Sequence, residues 1–302
     1  MAFLSAFELL NDPVVVIRQL MAGLANGMLL FLVAAGLSLI FGVSRIINFA
    51  HGAVFMLGAY IALTIVNAAG QSTGAFFLAV LISTGFTFLF GMAFEVLCLR
   101  RIYRSPQTFQ LLVTFGLVLI LGDAVKLVWG PEENSVGVPP DLEGIVRPFG
   151  VSFPVYRLML IGVGIAMCAA LWILLYRSRW GMLVRAATAD RQMLQALGID
   201  VRRLFTVVFG LGTGLAGFAG GLATPVMSIG PALHAQVLID AFVVVVIGGM
   251  GSIPGALVGA LLVGQANAFG TLIYPSLSII FPFLVMTVLL IVRPRGLLGK
   301  PE

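Results

Sequence analysis

Only a few residues in this sequence could carry chemistry. Glu95, Asp123, Lys126 and Asp240 are ionisable side chains set in or at the ends of long apolar runs. Charges in such places are costly, and where they persist they usually line a pathway or pair with one another. Asp123 and Lys126 stand three apart, on one helical face, where they can neutralise each other. Glu95 precedes Arg100 and Arg101 by little more than one turn, and Asp240 opens an apolar run near its outer end. All four read as interfacial or neutralised charges, which weakens a proton-coupled mechanism. Asn48 and His51 stand three apart in INFAHGAVFMLGAY (47–60). They read equally well as a polar lining or gate and as an interhelical hydrogen-bond pair. His234 reads as a solvated loop residue.

Enzyme chemistry finds little support. The chain has two histidines and no HExxH, and a metal site needs several convergent ligands. The glycine–lysine pair Gly299–Lys300 precedes a proline in the tail, so GxxxxGK[ST] is absent and ATP cannot be bound by a P-loop. We expect no catalytic residue, no metal and no cofactor. Any active transport would draw on an ion gradient or a partner. Cys98 and Cys168 lack ligand spacing and read as free core thiols.

The most organised polar stretch is RSRWGMLVRAATADRQMLQALGIDVRR (177–203), too polar to span a membrane. It predicts one amphipathic helix over 182–197, with Met182, Leu183, Ala186, Ala187, Leu194 and Leu197 set against Arg185, Asp190, Arg191 and Gln195. Gly198 closes it as a left-handed C-terminal cap. Such a helix either lies on lipid or docks into a partner's groove.

The elements that must hold these residues are membrane spans. Of 302 residues 60% are hydrophobic and 10% charged, against about 25% charged in soluble domains. Apolar runs near the ~20 residues that cross a bilayer fall at about 20–43, 46–66, 75–99, 109–129, 156–176 and 204–224. A region at 238–292 holds more than one. The fold class is therefore all-α and polytopic, with about eight spans. A short N-terminal segment (1–19), without the basic start of a signal peptide, precedes one transmembrane domain (20–300). The net charge of +5 reflects basic loops rather than nucleic-acid binding.

Arginines orient the spans. Those at 100–104, 177–203 and 293–295 should be cytoplasmic, and the acidic 130–155 loop should face outside. The chain is then outside near Pro231 and inside by Arg293, so 238–292 makes an odd number of crossings. GGMGSIPGA (248–256) breaks this region. It is either the turn of a re-entrant hairpin followed by one crossing, or a joint among three short crossings. Irregular backbone at membrane depth must be covered by protein or line a cavity, so Gly249, Gly251, Ser252 and Pro254 join Asn48 and His51 as passage or gating candidates. The same counting puts the N-terminus outside, unless 46–66 is itself re-entrant. Small residues four apart (Gly23/Gly27, Gly210/Gly214, Gly217/Gly221, Gly255/Gly259, and the row Gly212, Ala216, Gly220) suit close helix packing, within the chain or at a dimer seam.

GLANGMLLFLVAAGLSLIFGVSRIINFAHGAVFMLGAY (23–60), RAATADRQMLQALGID (185–200), AFVVVVIGGMGSIPGALVGALLVG (241–264) and RPRGLLG (293–299) together resemble the permeases of high-affinity branched-chain amino acid ABC transporters, the LivH-like half rather than the LivM-like one. The resemblance covers about residues 20–300. It implies a multi-pass permease subunit of the bacterial inner membrane, working with ABC ATP-binding subunits, a second, LivM-like permease and a periplasmic substrate-binding protein. It also makes 182–198 the segment that couples to the ATPase, with Leu183, Arg185, Ala186, Asp190, Leu194 and Gly198 as its contact residues. Gly198 follows Ala187 by eleven residues, unlike the closer glycine of many other importer permeases. Permeases for urea, short amides and small organic acids share similar stretches. A stand-alone secondary transporter is the rival from another class.

Overall fold

The computed structural model describes residues 11–299 other than 104, 148 and 149. Expectations resting on residues 1–10, Arg104 and Lys300 lie outside the described residues. Helix α1 (Pro13–Ser44) begins seven residues before the expected span, because Asp12 caps it, accepting from the Val14 amide at 2.9 Å, and Pro13 suits a first turn. Helix α2 (His51–Ala69) begins five residues later than expected. Then come α3 (Thr73–Ile102), with a π turn over Glu95–Leu99, and α4 (Gln107–Trp129). The outer loop carries only a short 3-10 turn (Pro140–Leu142) and a two-residue hairpin (β1 Ile145–Val146, β2 Phe153–Pro154).

Helix α5 (Val155–Tyr176) leads to two short helices, α6 (Arg179–Ala189) and α7 (Arg191–Ala196). Four more follow: α8 (Val201–Ala223), α9 (Leu233–Gly248), α10 (Ile253–Ile273) and α11 (Ile280–Val292). Among the described residues seven helices are long and apolar enough to cross a membrane, and α9 and α11 are shorter apolar helices. The chain is an all-α, multi-pass membrane protein.

Helix α8 is the most buried element and packs on α1, α2 and α3. Its glycines make this possible by removing side chains where backbones meet. A Cβ on Gly212 would strike the Gly36 carbonyl and Ile40 of α1. One on Gly220 would strike the Phe55 carbonyl of α2, and one on Gly217 would strike Thr87 of α3. On α1, Gly23 and Gly27 face Gln265 and Ala260 of α10, while Gly255 and Gly259 face Gly248 and Val244 of α9. Every small-residue row found in the sequence is spent on packing within the chain.

The C-terminal helices run as three passes. At one end of the α1–α10 contact, Gln19 Nε2 donates to the Ala268 carbonyl at 2.5 Å and Gln265 Nε2 to the Leu20 carbonyl at 2.9 Å. At the other end Gly251 packs on Gly42. The Leu297 and Leu298 amides donate to the Ile247 and Gly248 carbonyls at 2.9 and 3.0 Å, so the RPRGLLG segment clasps the 249–252 turn. That turn therefore lies at the arginine-bearing end of the bundle, and the start of α1 at the opposite end. The break in GGMGSIPGA is real, and it joins α9 to α10 at the arginine-bearing end of the bundle rather than half-way along it. Helices α9 and α11 are about 24 and 20 Å long, short against a ~30 Å hydrocarbon core.

Candidate functional site

The irregular backbone at membrane depth is residues 45–50. Arg45 leaves α1 in the left-handed conformation (φ 57°), which costs a residue with a Cβ about 1–2 kcal/mol. Ser44 bonds back to the Ile40 carbonyl (2.8 Å) and receives the Ile46 amide (3.2 Å). The chain then climbs beside α1 until Asn48 turns it. Its Oδ1 accepts from the Ala50 amide at 3.1 Å, and its carbonyl accepts from the His51 amide at 3.2 Å. His51 Nε2 lies 2.9 Å from the Val33 carbonyl. Val33 is about 16 Å along α1 from Ser44, half the core thickness. Helix α2 thus starts near the membrane middle. Composition could not show this, because INFA is as apolar as a helix.

Asn48 and His51 are fully buried. A carbonyl only accepts, so Nε2 carries the imidazole proton and Nδ1 is an acceptor. Neither His51 Nδ1 nor Asn48 Nδ2 has a hydrogen-bond partner. A buried acceptor and a buried donor stand unsatisfied three residues apart, each at a cost of about 1–3 kcal/mol. His51 makes one interhelical hydrogen bond, to Val33 of α1, and each side chain of the pair keeps one polar nitrogen without a partner, so both readings of the pair stay open.

The other four passage candidates lie at the arginine end. Gly249 (φ 97°) and Gly251 (φ 80°) make the turn in a conformation that L side chains rarely adopt. Ser252 caps α10, accepting from the Gly255 amide at 3.1 Å, and Pro254 occupies its first turn. Gly249 is buried under the C-terminal segment, and Gly251 and Pro254 are exposed.

The 177–203 loop is two helices instead of one. Asp190 is extended (φ −147°) and caps α7, with Oδ1 accepting from the Gln192 and Met193 amides, both at 2.9 Å. This local capping outcompetes the continuous amphipathic pattern. Gly198 is left-handed (φ 80°), and the Ile199 amide reaches the Leu194 carbonyl at 3.3 Å, closing α7 as expected. Val184, Ala187 and Leu194 turn inward onto Leu39, Val43 and Phe205. Leu183, Arg185 and Ala186 are half-buried, and Asp190 and Gly198 are exposed. Met182 (57% exposed), Met193 (60%) and Leu197 (70%) face outward.

Sequence reasoning undervalued Glu95. It is fully buried at the π turn of α3 and bonded to three residues: Arg100 Nη2 (3.1 Å), Thr206 Oγ1 (2.7 Å) and Tyr103 Oη (2.8 Å). The π turn brings Arg100 under Glu95, its amide also reaching the Glu95 carbonyl. Burial first, and the adjacent Glu95 second, hold the Tyr103 hydroxyl far above the usual phenol range. Arg191 of α7 lies 5.7 Å from the Tyr103 ring centre and 4.5 Å from that of Phe205. The loop is therefore tied to an ion pair within α3 that Thr206 of α8 joins by hydrogen bonds. An E-x4-R spacing was the available signal, and it is out of phase in a regular α-helix.

Asp123 and Lys126 pair at 3.1 Å, as expected, and both are exposed. Asp240 is half-buried on α9. His234 is also half-buried, its Nδ1 donating to the Pro231 carbonyl at 2.6 Å, so it is not simply a solvated residue. Both cysteines are free, but Cys98 is exposed on the apolar surface and Cys168 half-exposed, so neither is a core thiol. The string Gly70-Gln71-Ser72-Thr73-Gly74 has GxSxG spacing. It joins two helices, and Ser72 Oγ caps α3 on the Ala75 amide (3.2 Å), unlike a strand-to-helix nucleophile elbow. No cluster of three or more His, Cys, Asp or Glu able to hold a metal occurs among the described residues.

A family model described as "branched-chain amino acid transport system / permease component" matches residues 19–290. The high-affinity branched-chain amino acid transport system permease protein BraD of Pseudomonas aeruginosa is 30% identical over 95% of this chain and 96% of its own. LivH of Escherichia coli K12 is 30% identical with the same coverage. A probable LivH of Methanocaldococcus jannaschii is 29% identical over 90% of this chain and 89% of its own. No solved structure matches.

Proposed function

The chain belongs to the family of branched-chain amino acid transport system permease components, and from that premise we propose that it is a membrane subunit of an ATP-driven ABC importer. In this reading it moves branched-chain or related small amino acids inward across a bacterial inner membrane. ATP binding and substrate capture belong to partner chains: ABC ATP-binding subunits, a periplasmic binding protein and a second, LivM-like permease. Within the single permease domain, 177–203 is the coupling loop.

The observation that carries the reading is the construction of that loop. One side is locked to the bundle through Val184, Ala187, Leu194 and Arg191, and the other presents Met182, Met193 and Leu197 to the cytoplasm. Exposed Met and Leu on a short amphipathic helix suit docking in a partner's groove. Leu183, Arg185 and Ala186 flank the contact, while Asp190 and Gly198 set its shape. A push on the loop would travel through Arg191 to Tyr103 and Phe205, and so to the Glu95–Arg100 pair. Asn48 and His51 would gate the passage, their free donor and acceptor meeting water or a polar group of the substrate when it opens. Gly249, Gly251, Ser252 and Pro254 would frame its cytoplasmic end.

A stand-alone secondary transporter gains nothing from Glu95, the fully buried acid, because Arg100 neutralises it near the cytoplasmic end. Co-reconstitution with the ATP-binding subunits, sister permease and binding protein separates these readings. Labelled leucine uptake should require all partners and ATP, and should survive an uncoupler. Uptake by this chain alone, driven by an ion gradient, would overturn the proposal.

A further inference from the structure

An apolar groove of about 420 Å³ opens on the outer surface of the bundle between α5 and α10. Ile165, Cys168, Ala169 and Trp172 of α5 form one wall, Leu257 of α10 the other, and Met28 of α1 the floor. The α5 wall runs for about 10 Å, and Leu257 lies one turn from the cytoplasmic start of α10. The groove therefore reaches from mid-membrane, beside Met28 and Ile165, down to the inner-leaflet end of α5 and α10 at Trp172 and Leu257.

Its cytoplasmic foot is basic and aromatic. Arg177 lies 5.9 Å from the centre of the Trp172 ring, the same ring that lines the groove. Arg185 lies 5.2 Å over Tyr176, and its Nη1 is buried without a hydrogen-bond partner. Arg179, two residues after Arg177 at the start of α6, is exposed. Among the described residues the ion pairs are Arg100–Glu95, Lys126–Asp123 and Arg203–Asp200, so these three arginines have no carboxylate partner.

We propose that this groove seats an anionic phospholipid of the inner leaflet, with an acyl chain along Ile165–Trp172 and the phosphate on Arg177 and Arg179. The wall is too apolar for a soluble anion to explain it, and basic pockets on the cytoplasmic side suit anionic headgroups. A second permease is the competing occupant. Its own cytoplasmic end would be rich in Lys and Arg and would bring like charge against three unpaired arginines. An anionic lipid brings the opposite charge.

Native mass spectrometry of the intact permease–ATPase complex, offered phosphatidylglycerol and phosphatidylcholine in equal amounts, tests this. The wild type should retain phosphatidylglycerol preferentially. At about fivefold per arginine, the Arg177→Gln/Arg179→Gln double variant should lose roughly 25-fold of that retention and leave phosphatidylcholine unchanged. Both positions are exposed, and Arg177→Lys/Arg179→Lys should restore most of the preference. Leu257→Trp, which fills the groove, should reduce both lipids. Equal retention of the two lipids by the wild type, or an unchanged preference in the glutamine variant, overturns the proposal. So does a photocrosslinker at Ile165 that captures the second permease rather than lipid.

Discussion

The guanidinium of Arg191 sits 4.5 Å over the ring of Phe205, joining the 177–203 loop to the most buried helix of the bundle. Cation–π contacts are worth about 0.5–1 kcal/mol when exposed and about 2 when desolvated. Arg191→Ala should leave ATPase capture intact while lowering uptake several-fold, because the loop can still bind its partner but no longer pulls on α8. Arg191→Lys should recover part of the loss. Pull-down and vesicle uptake on the same preparations check this, and equal loss of both would mean that Arg191 serves docking alone.

Removing either member of the Glu95–Arg100 pair should have unequal effects. The Glu95 side chain is fully buried, whereas that of Arg100 is 32% exposed and can turn towards water. Arg100→Ala strands a carboxylate inside the bundle, at the cost of a broken buried pair, roughly 3–5 kcal/mol. Glu95→Gln keeps an acceptor for Tyr103 and Thr206 and should cost less. Thermal unfolding in detergent should rank wild type above Glu95→Gln and that above Arg100→Ala. The reverse order would show that Arg100 is stabilised by something other than Glu95.

The spans were legible because a membrane helix must be apolar for its whole length, so their cores at 109–129 and 156–176 match the structure to within two residues. Residues 45–50 were not, since a buried irregular segment needs the same apolar composition as a helix. Asp190 carried a legible cap signal, which the longer amphipathic period masked. The direction of Leu194 was beyond reach: periodicity finds an apolar face, but this short loop has two apolar surroundings to choose from, its own bundle and a partner. Glu95 and Arg100 meet only because a π turn shifts the helical phase, and that shift has no compositional mark.

Asn48 offers a test of gating. Asn48 Nδ2 is buried without a partner, so replacing the amide by an apolar group of similar size removes that desolvation cost. Asn48→Leu also removes the turn hydrogen bond from the Ala50 amide to Oδ1, worth about 1 kcal/mol, so its net thermal shift should be small. Uptake should nevertheless fall at least tenfold. Unchanged uptake with unchanged stability would make the pair a structural remnant of the turn.

Glycines of α8 should be intolerant where backbones meet and tolerant elsewhere. Gly212→Val drives two methyl groups into the Gly36 carbonyl and Ile40, and overpacking costs about 1–3 kcal/mol or more against backbone that cannot yield. Gly116 of α4 has open space where a Cβ would go, so Gly116→Ala should be neutral or gain up to about 1 kcal/mol from helix propensity. Folded yield by size-exclusion in detergent reads both. A folded, active Gly212→Val protein would mean that α1 and α8 can separate freely.

The two faces of the proposed coupling loop make opposite predictions from the same chemistry. Met193 and Leu197 face away from the bundle, so Met193→Asp and Leu197→Asp should leave the fold unchanged. They should lower ATPase capture about tenfold or more, since each buries a charge in the partner's groove. Leu194 is 4% exposed against Val43 and Phe205, so Leu194→Asp puts the charge inside the permease. It should cost several kcal/mol, loosen the loop and lower the melting temperature before any partner is present. Measuring melting temperature and ATPase capture for all three variants separates docking from anchoring. If the exposed variants melt early and Leu194→Asp does not, the loop sits on the bundle the other way round.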